Sequence, residues 1–200
     1  MASGSLDGET RQTDLAFLAR CHRLCLPETA SSRAGLPVLE ALYAGLLKDA
    51  SARVIWEPGS ADSPELGAFA AGTVSYRETE LWTRNCLPKA AFVRLALRAA
   101  TMPRHLLARR SWESLIPREG IGYVLTLGVA RAVVPSARTR RGSELLTELE
   151  TFFLSRGCAE SFVDTELSNP RAHAFYLRQG YLERSRDHGQ VLLSKALLSG

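Results

Sequence analysis

Residues 169–181 read Asn-Pro-Arg-Ala-His-Ala-Phe-Tyr-Leu-Arg-Gln-Gly-Tyr, and local chemistry leaves this stretch little freedom. Asn169 is a good N-cap, Pro170 carries its fixed φ into the first helical position, where no N–H is needed, and Gly180 takes the left-handed conformation that ends a helix. The spacing predicts a short helix with Ala172, Phe175, Tyr176 and Gln179 along one face. A strand-like run, Ser161–Leu167, precedes it and another, Tyr181–Arg184, follows. Taken singly, Asn169 is explained as a cap, Tyr176 as a core aromatic and Gly180 as a helix stop. Taken together at this spacing they define a strand–helix–strand unit that carries a phenol.

The same rules organise the rest of the chain. Ile121–Val129 is almost continuously apolar, as a strand buried on both faces should be. Gly142–Arg156 reads as a helix with Leu145, Leu146, Leu149, Phe152 and Phe153 facing inward and Gly157 at its end. Near the N-terminus, residues 13–26 form a helix stopped by Pro27, Ser31–Gly35 a turn, and Pro37 opens a second helix presenting Leu39, Leu42, Tyr43, Leu46 and Leu47. Ala52–Glu57 and Leu66–Tyr76 are then an antiparallel pair, the second small-sided at Gly67, Ala71 and Gly72, and Gln190–Leu198 supplies a last strand after the turn Asp187-His188-Gly189. Residues 1–12 are small and polar and read as a flexible tail, leaving 13–200 as one domain. Within it, 77–119 turns to Arg, Ala and Leu and reads as a helical insertion or lid, with Phe92, Leu95, Ala96 and Ala99 on one face, a break at Pro103, and Leu106, Leu107, Trp112 and Leu115 in a second piece. A basic amphipathic helix lying on a membrane surface is the alternative for this segment.

Composition narrows the partners. At 46% apolar and 23% charged, 200 residues suit one globular domain. No apolar run approaches the roughly 20 residues of a transmembrane helix, and the N-terminus lacks the basic and apolar regions of a signal peptide, so a cytoplasmic location is expected. Cys21, Cys25, Cys86 and Cys158 form no Cys-x-x-Cys pair and the four histidines are dispersed, so reduced thiols and no metal site are expected. The net charge of +4 is uneven: from Arg84 to Arg141 there are 12 Lys/Arg against Glu113 and Glu119. That field favours an anionic partner, whether a phosphorylated cofactor, a nucleotide, an acidic carrier protein or a lipid headgroup. Nucleic acid is disfavoured, because the basic stretch lacks interleaved aromatics and a DNA-reading motif.

The pattern Asn-x-x-Ala-x-x-Phe-Tyr-x-x-x-Gly-aromatic over 169–181 resembles the last block of the GCN5-related N-acetyltransferases (GNAT), and Leu127-Gly128-Val129 resembles the end of that family's central strand. The resemblance implies an α/β (α+β) fold with a mixed, V-splayed central sheet flanked by helices, here with a helical insertion before the fourth strand. It implies acyl transfer from acetyl-CoA or another acyl-CoA to a primary amine by direct attack. Tyr176 would be the general acid for the departing thiolate and Asn169, with Ala172 in the same block, would lie along the pantetheine arm. A phenol with a pKa of about 10 can do this at neutral pH. Backbone amides at Leu127, Gly128 and Val129 would polarise the thioester carbonyl.

The family's phosphate loop, Arg/Gln-x-x-Gly-x-Gly/Ala, fits less well. Starting it at Arg138 puts the small positions on Arg141 and Ser143, whereas ending it on Gly142 puts the first glycine on Arg140 and the leading residue on Ala137. In either register an arginine replaces a glycine and the strand-to-helix loop is longer than usual, so Arg138, Arg140, Arg141, Gly142 and Ser143 are expected to hold phosphates partly by ion pairs in place of amides. The general base is left among His22, Glu119, Asp164 and Glu166. Two other readings follow from the altered loop: an acyl-carrier-protein donor, and an inactive binding or scaffold protein. His22, Ser32–Gly35 and Leu42-Tyr43 also resemble features of acetyltransferases of bacterial polysaccharide and secondary-metabolite clusters. The acceptor (an amino sugar nucleotide, a peptide or metabolite amine, an aminoglycoside) and the oligomeric state, a homodimer included, stay open.

Overall fold

The apolar run Ile121–Val129 is the long central strand of a six-stranded sheet in this computed structural model, which describes residues 8–57, 67–76, 87, 89–101, 112 and 114–197. Leu106, Leu107 and Cys86 lie outside the described residues. In chain order the elements are α1 (Gly8–Cys25), α2 (Ala30–Ala34), α3 (Leu36–Leu46), β1 (Ala52–Glu57), β2 (Ala68–Thr73), α4 (Lys89–Ala100), β3 (Ile121–Val129), α5 (Pro135–Ser155), β4 (Glu160–Glu166), α6 (Pro170–Arg178), β5 (Leu182–Asp187) and β6 (Gln190–Ala196). The strands lie in the order β1-β2-β3-β4-β6-β5; β3 and β4 run parallel and every other neighbour is antiparallel. This is the mixed α/β sheet flanked by helices that the sequence predicts.

Three boundaries differ from expectation. Helix α1 begins at Gly8 rather than at residue 13, and residues 30–34, expected to be a turn, close one helical turn capped by Thr29, whose side chain accepts from Ser32 N–H. The third matters most for function. Helix α5 starts at Pro135, so the expected phosphate loop is helical from Pro135 onward and the link from β3 is only Ala130–Val134. Proline at the first helical position, followed by Ser-Ala-Arg-Thr-Arg-Arg, explains why: the missing N–H costs nothing there, and alanine and arginine favour the helix.

Alternation along β2 divides the core between the two sheet faces. Ala68 and Ala70 join the cluster built around α5, with Leu145, Leu146, Leu149 and Phe153; Phe69 and Ala71 join the cluster of α1 and α3, with Phe17, Leu18, Cys21 and Tyr43. The small residues foreseen in β2 have a partner in β3, because Phe153 lies flat across both strands. A Cβ at Gly122 would fall 2.1 Å from the Phe153 ring and one at Gly72 2.6 Å from it. Helix α4 packs on α2 and α3 through Leu87, Ala91, Phe92 and Leu95 against Ala34, Val38 and Leu42.

The sheet opens at its centre. Strands β3 and β4 pair only from Ile121–Glu160 to Val124–Val163. At that level the β2–β3 register slips: Gly72 faces Val124 and Ala71 faces Thr126, so Leu125 is an extra residue in β3. Such a bulge bends the strand that carries it. Beyond it, β3 continues along β2 to Val129 while β4 follows β6 to Glu166, and the two diverge.

Candidate active site

Two clefts meet in this opening. The first, about 650 Å³, runs between the end of β3, the first turns of α5 and the length of α6. The second, about 790 Å³, lies between the α1–α3 region, β3 and β4. Both are bordered by Leu127, Asn169, Ala172 and Tyr176. The helix formed by 170–178 is therefore what joins them. Asn169 Oδ1 caps it by accepting from Ala172 N–H at 3.2 Å, and Gly180, at φ +87°, turns the chain into Tyr181 as its position after the helix requires.

The helical start of α5 redistributes the residues expected to hold phosphates. Pro135, Arg138, Thr139 and Gly142 recur at helical spacing and line the first cleft with Leu127, Gly128 and Val129. Arg140 and Arg141 fall on another face, where Arg140 approaches Glu144 at 3.7 Å and Arg141 approaches Glu57 at 3.8 Å. Ser143 is also outside the cleft lining; its Oγ donates to the Thr139 carbonyl at 3.0 Å and accepts from Gln179 Nε2 at 2.9 Å, tying α5 to α6. Of the three arginines expected to act together, Arg138 lines the cleft, while Arg140 and Arg141 lie outside its lining beside Glu144 and Glu57.

Other cations join Arg138 in the lining of the first cleft. Arg131, immediately beyond β3, and Arg171 and Arg178, seven residues apart on α6, line the same cleft. The seven-residue spacing was a readable signal for the last two; nothing in the sequence marked Arg131. Arg138 Nη2 donates to the Arg131 carbonyl and, at 2.8 Å, to that of Val133, bracing the link, while its buried Nε makes no hydrogen bond among the described residues. Val134 provides no side-chain cap, so the first N–H groups of α5 have no capping side chain. Uncapped amides at the positive end of a 21-residue helix, together with four guanidinium groups, suit the phosphates of a nucleotide thioester.

Tyr176 is 5% exposed, and its hydroxyl makes no hydrogen bond among the described residues. Burial, and secondarily the charge of Asp164, push its pKa well above the ordinary phenol value. It stays protonated at neutral pH. Asp164 lines the second cleft and accepts a hydrogen bond on Oδ1 from Tyr123 Oη at 2.7 Å. Glu166 lines it too, accepting from Ser168 Oγ on Oε2 at 2.7 Å. His22 also borders this cleft, but its ring is stacked 5.3 Å from Phe69, Nδ1 lies 2.7 Å from Tyr43 Oη and Nε2 3.3 Å from Thr29 Oγ1. Burial lowers its pKa to about 4. Glu119 is exposed and lines neither cleft.

No group of three or more His, Cys, Asp or Glu capable of holding a metal occurs among the described residues, and no helix among them is long and apolar enough to cross a membrane.

A splayed β3–β4 pair flanked by α5 and α6 defines the acyl-CoA N-acyltransferase class of fold, and solved structures share it. Aminoglycoside 6'-acetyltransferase type Ii superposes over 100% of this chain and 99% of its own, with a TM-score of 0.56 at 16% identity. A candidate acetyltransferase of the GNAT family from Desulfovibrio desulfuricans covers 92% of this chain and 93% of its own, with a TM-score of 0.58 at 13% identity. A candidate acyl-CoA N-acyltransferase from Klebsiella pneumoniae overlaps only in part, over 42% of this chain and 59% of its own, at 25% identity and a TM-score of 0.37. No curated protein sequence matches significantly. Residues 106–181 match the acetyltransferase (GNAT) family. That match spans β3, α5, β4 and α6, the elements that frame the two clefts.

Proposed function

We propose that the protein transfers an acetyl or other acyl group from an acyl-CoA directly to a primary amine, with Tyr176 as general acid. The observation that carries this reading is the position of Tyr176, buried at the junction of a cation-lined cleft and a carboxylate-bearing one. Acyl-CoA, when bound, supplies the activated thioester. Arg131, Arg138, Arg171 and Arg178, with the first turn of α5, would hold its phosphates; Leu127, Gly128, Val129, Asn169 and Ala172 border the path of its arm. Beyond Val124, β3 has no partner strand on its β4 side, which leaves backbone N–H groups there to stabilise negative charge on a carbonyl oxygen. Tyr176 holds its proton because burial disfavours the phenolate, and a departing thiolate at this junction would take it. Bringing two reactants into one opening from opposite sides supplies proximity as well.

Thermal shift with acetyl-CoA, longer acyl-CoAs and CoA, followed by thiol release on adding amines, tests the reading. The midpoint should rise with CoA species, since a ligand bound by the native state alone stabilises it. Tyr176→Phe should keep that rise and lose turnover. A protein that bound no CoA species and no acyl carrier protein would refute it. The four arginines at the first cleft favour one second reading, an acyl-carrier-protein donor: transfer from the carrier that falls with salt, without transfer from free acyl-CoA, would establish it.

A further inference from the structure

The second cleft differs from the first in chemistry. One wall is aliphatic and aromatic: Leu42, Tyr43 and Leu46 from α3, Leu95 from α4, and Tyr76 beyond β2. The facing wall is β4, which brings Asp164 and Glu166. Asp164 is held in place, because Oδ1 accepts the Tyr123 hydroxyl and the Tyr123 ring lies 3.9 Å from that of Tyr76 in a stacked pair. Its other oxygen, Oδ2, makes no hydrogen bond among the described residues. Asp164 also lies close enough for its charge to raise the pKa of Tyr176, the residue at the junction with the first cleft. The cleft therefore offers a carboxylate beside the reacting position and an apolar stretch at Leu42, Leu46 and Leu95, with His22, Glu28, Thr29 and Ser31 also in its lining.

We propose, resting on the acyl-transfer reading above, that the acceptor is a single primary amine carried on an apolar, ring- or alkyl-bearing body. Its ammonium faces Asp164 and its body lies against Leu42, Leu46, Leu95 and Tyr76. The step balances simply. The ammonium gives one proton to the Asp164 carboxylate, the free amine nitrogen forms the new N–C bond as the C–S bond breaks, the thiolate takes the Tyr176 proton, and the second proton that the nitrogen sheds on becoming a neutral amide restores Tyr176, while the Asp164 proton passes to solvent. A polyhydroxylated amine such as an amino sugar is the poorer match, because its hydroxyls would lose water against Leu42, Leu46 and Leu95 without gaining hydrogen bonds there. A volume of about 790 Å³ accommodates a metabolite-sized body and excludes a folded protein, a protruding terminus aside.

The test uses the full chain with saturating acetyl-CoA and a panel of amines: butylamine, hexylamine, octylamine, 2-phenylethylamine, glucosamine and kanamycin. Thiol release gives kcat/KM, and thermal shift in the presence of CoA gives amine binding independently of turnover. The expected result is a rise of about fourfold in kcat/KM for each added methylene, equivalent to about 0.8 kcal/mol, until the cleft is filled, with 2-phenylethylamine far above both sugars. Leu42→Asn should flatten the alkyl series while leaving the shift with CoA intact. Asp164→Asn should lower kcat/KM for every amine, again without weakening CoA. Glucosamine or kanamycin matching or exceeding 2-phenylethylamine would overturn the inference and leave the acyl-transfer reading standing, as would CoA binding with no amine of the apolar series bound or acylated. Failure to bind any CoA species would instead remove the reading and the inference together.

Discussion

His22 offers a quantitative check on the second cleft. Its ring is 7% exposed, stacked on Phe69 and hydrogen-bonded to Tyr43, and burial depresses its pKa to about 4. In the unfolded chain it titrates near the ordinary value of about 6.5. A group whose folded pKa is the lower one takes up protons on unfolding, so its contribution to stability is fully present above about pH 6.5 and is lost as the pH falls toward about 4. With these two values the loss between pH 7 and pH 4.5 is about 2 kcal/mol. Other groups titrate in this window, so the measurement is a difference. Urea unfolding, followed by tryptophan fluorescence, is run at both pH values on the native protein and on His22→Asn. The variant will be less stable at pH 7, having lost packing on Phe69, but should lose about 2 kcal/mol less on acidification. An identical pH dependence in the two proteins, or an NMR titration of His22 centred near 6.5, would refute the argument. The same experiment bears on the proposed mechanism, since an imidazole whose pKa is lowered to about 4 is a weak acceptor for the amine proton, whereas Asp164 and Glu166 both line the second cleft.

Four further outcomes follow from named contacts. Tyr176→Phe should lower kcat by about 10²- to 10⁴-fold in a thiol-release assay while leaving the acetyl-CoA thermal shift unchanged. Arg138→Ala removes both a cation of the first cleft and the donor that braces the Arg131 and Val133 carbonyls; the KM for acetyl-CoA should rise roughly tenfold or more, with a smaller dependence on salt than in the native protein. Phe153→Ala empties the centre of the α5 core and should cost about 3–5 kcal/mol in chemical denaturation, whereas Gly122→Ala, which crowds the same ring, should cost about 1–3 kcal/mol. Asn169→Ala removes the cap of α6 and should cost about 1 kcal/mol, with a further loss of activity if the junction shifts.

Much of this architecture was written in local signals. The apolar run 121–129, the inward stripe of Leu145, Leu146, Leu149 and Phe153, and the Asn169–Gly180 punctuation each obey a rule that needs only a few neighbouring residues, and each element lies where that rule puts it. The bulge at Leu125 had no such signal. One extra residue in a uniformly apolar strand leaves the pattern unchanged, since Val124, Leu125 and Leu127 all suit either face. Its effect is nonetheless large, because it lies where the β3–β4 pairing stops and the opening that holds both clefts begins. The second cleft was hidden for a related reason. Leu42, Leu95, Tyr76 and Asp164 are far apart in sequence, and no periodicity of one element predicts a wall made from four.

The phosphate side shows how a short pattern can mislead where a longer one would not. Matching residues 137–143 to a glycine-bearing loop treated position in the chain as position in space, and so gathered Arg138, Arg140 and Arg141 into one cluster. Pro135 at the first helical position argued otherwise from the sequence alone. Once the segment is helical, residues three, four and seven apart share a face, which selects Arg138, Thr139 and Gly142 beside Pro135 and turns Arg140 and Arg141 toward Glu144 and Glu57. The same rule, applied to α6, brings in Arg171 and Arg178 from a stretch first read for its tyrosine. The cationic lining is therefore supplied by two helices and one loop residue instead of by a single glycine-rich turn, and side-chain charge takes over part of what backbone amides would supply. In the proposed acyl-CoA complex that exchange would make anion binding more sensitive to salt than a cradle of amides would be, because arginines at the rim of an open cleft are screened by counterions and hydrogen-bonding backbone dipoles at close range are screened far less.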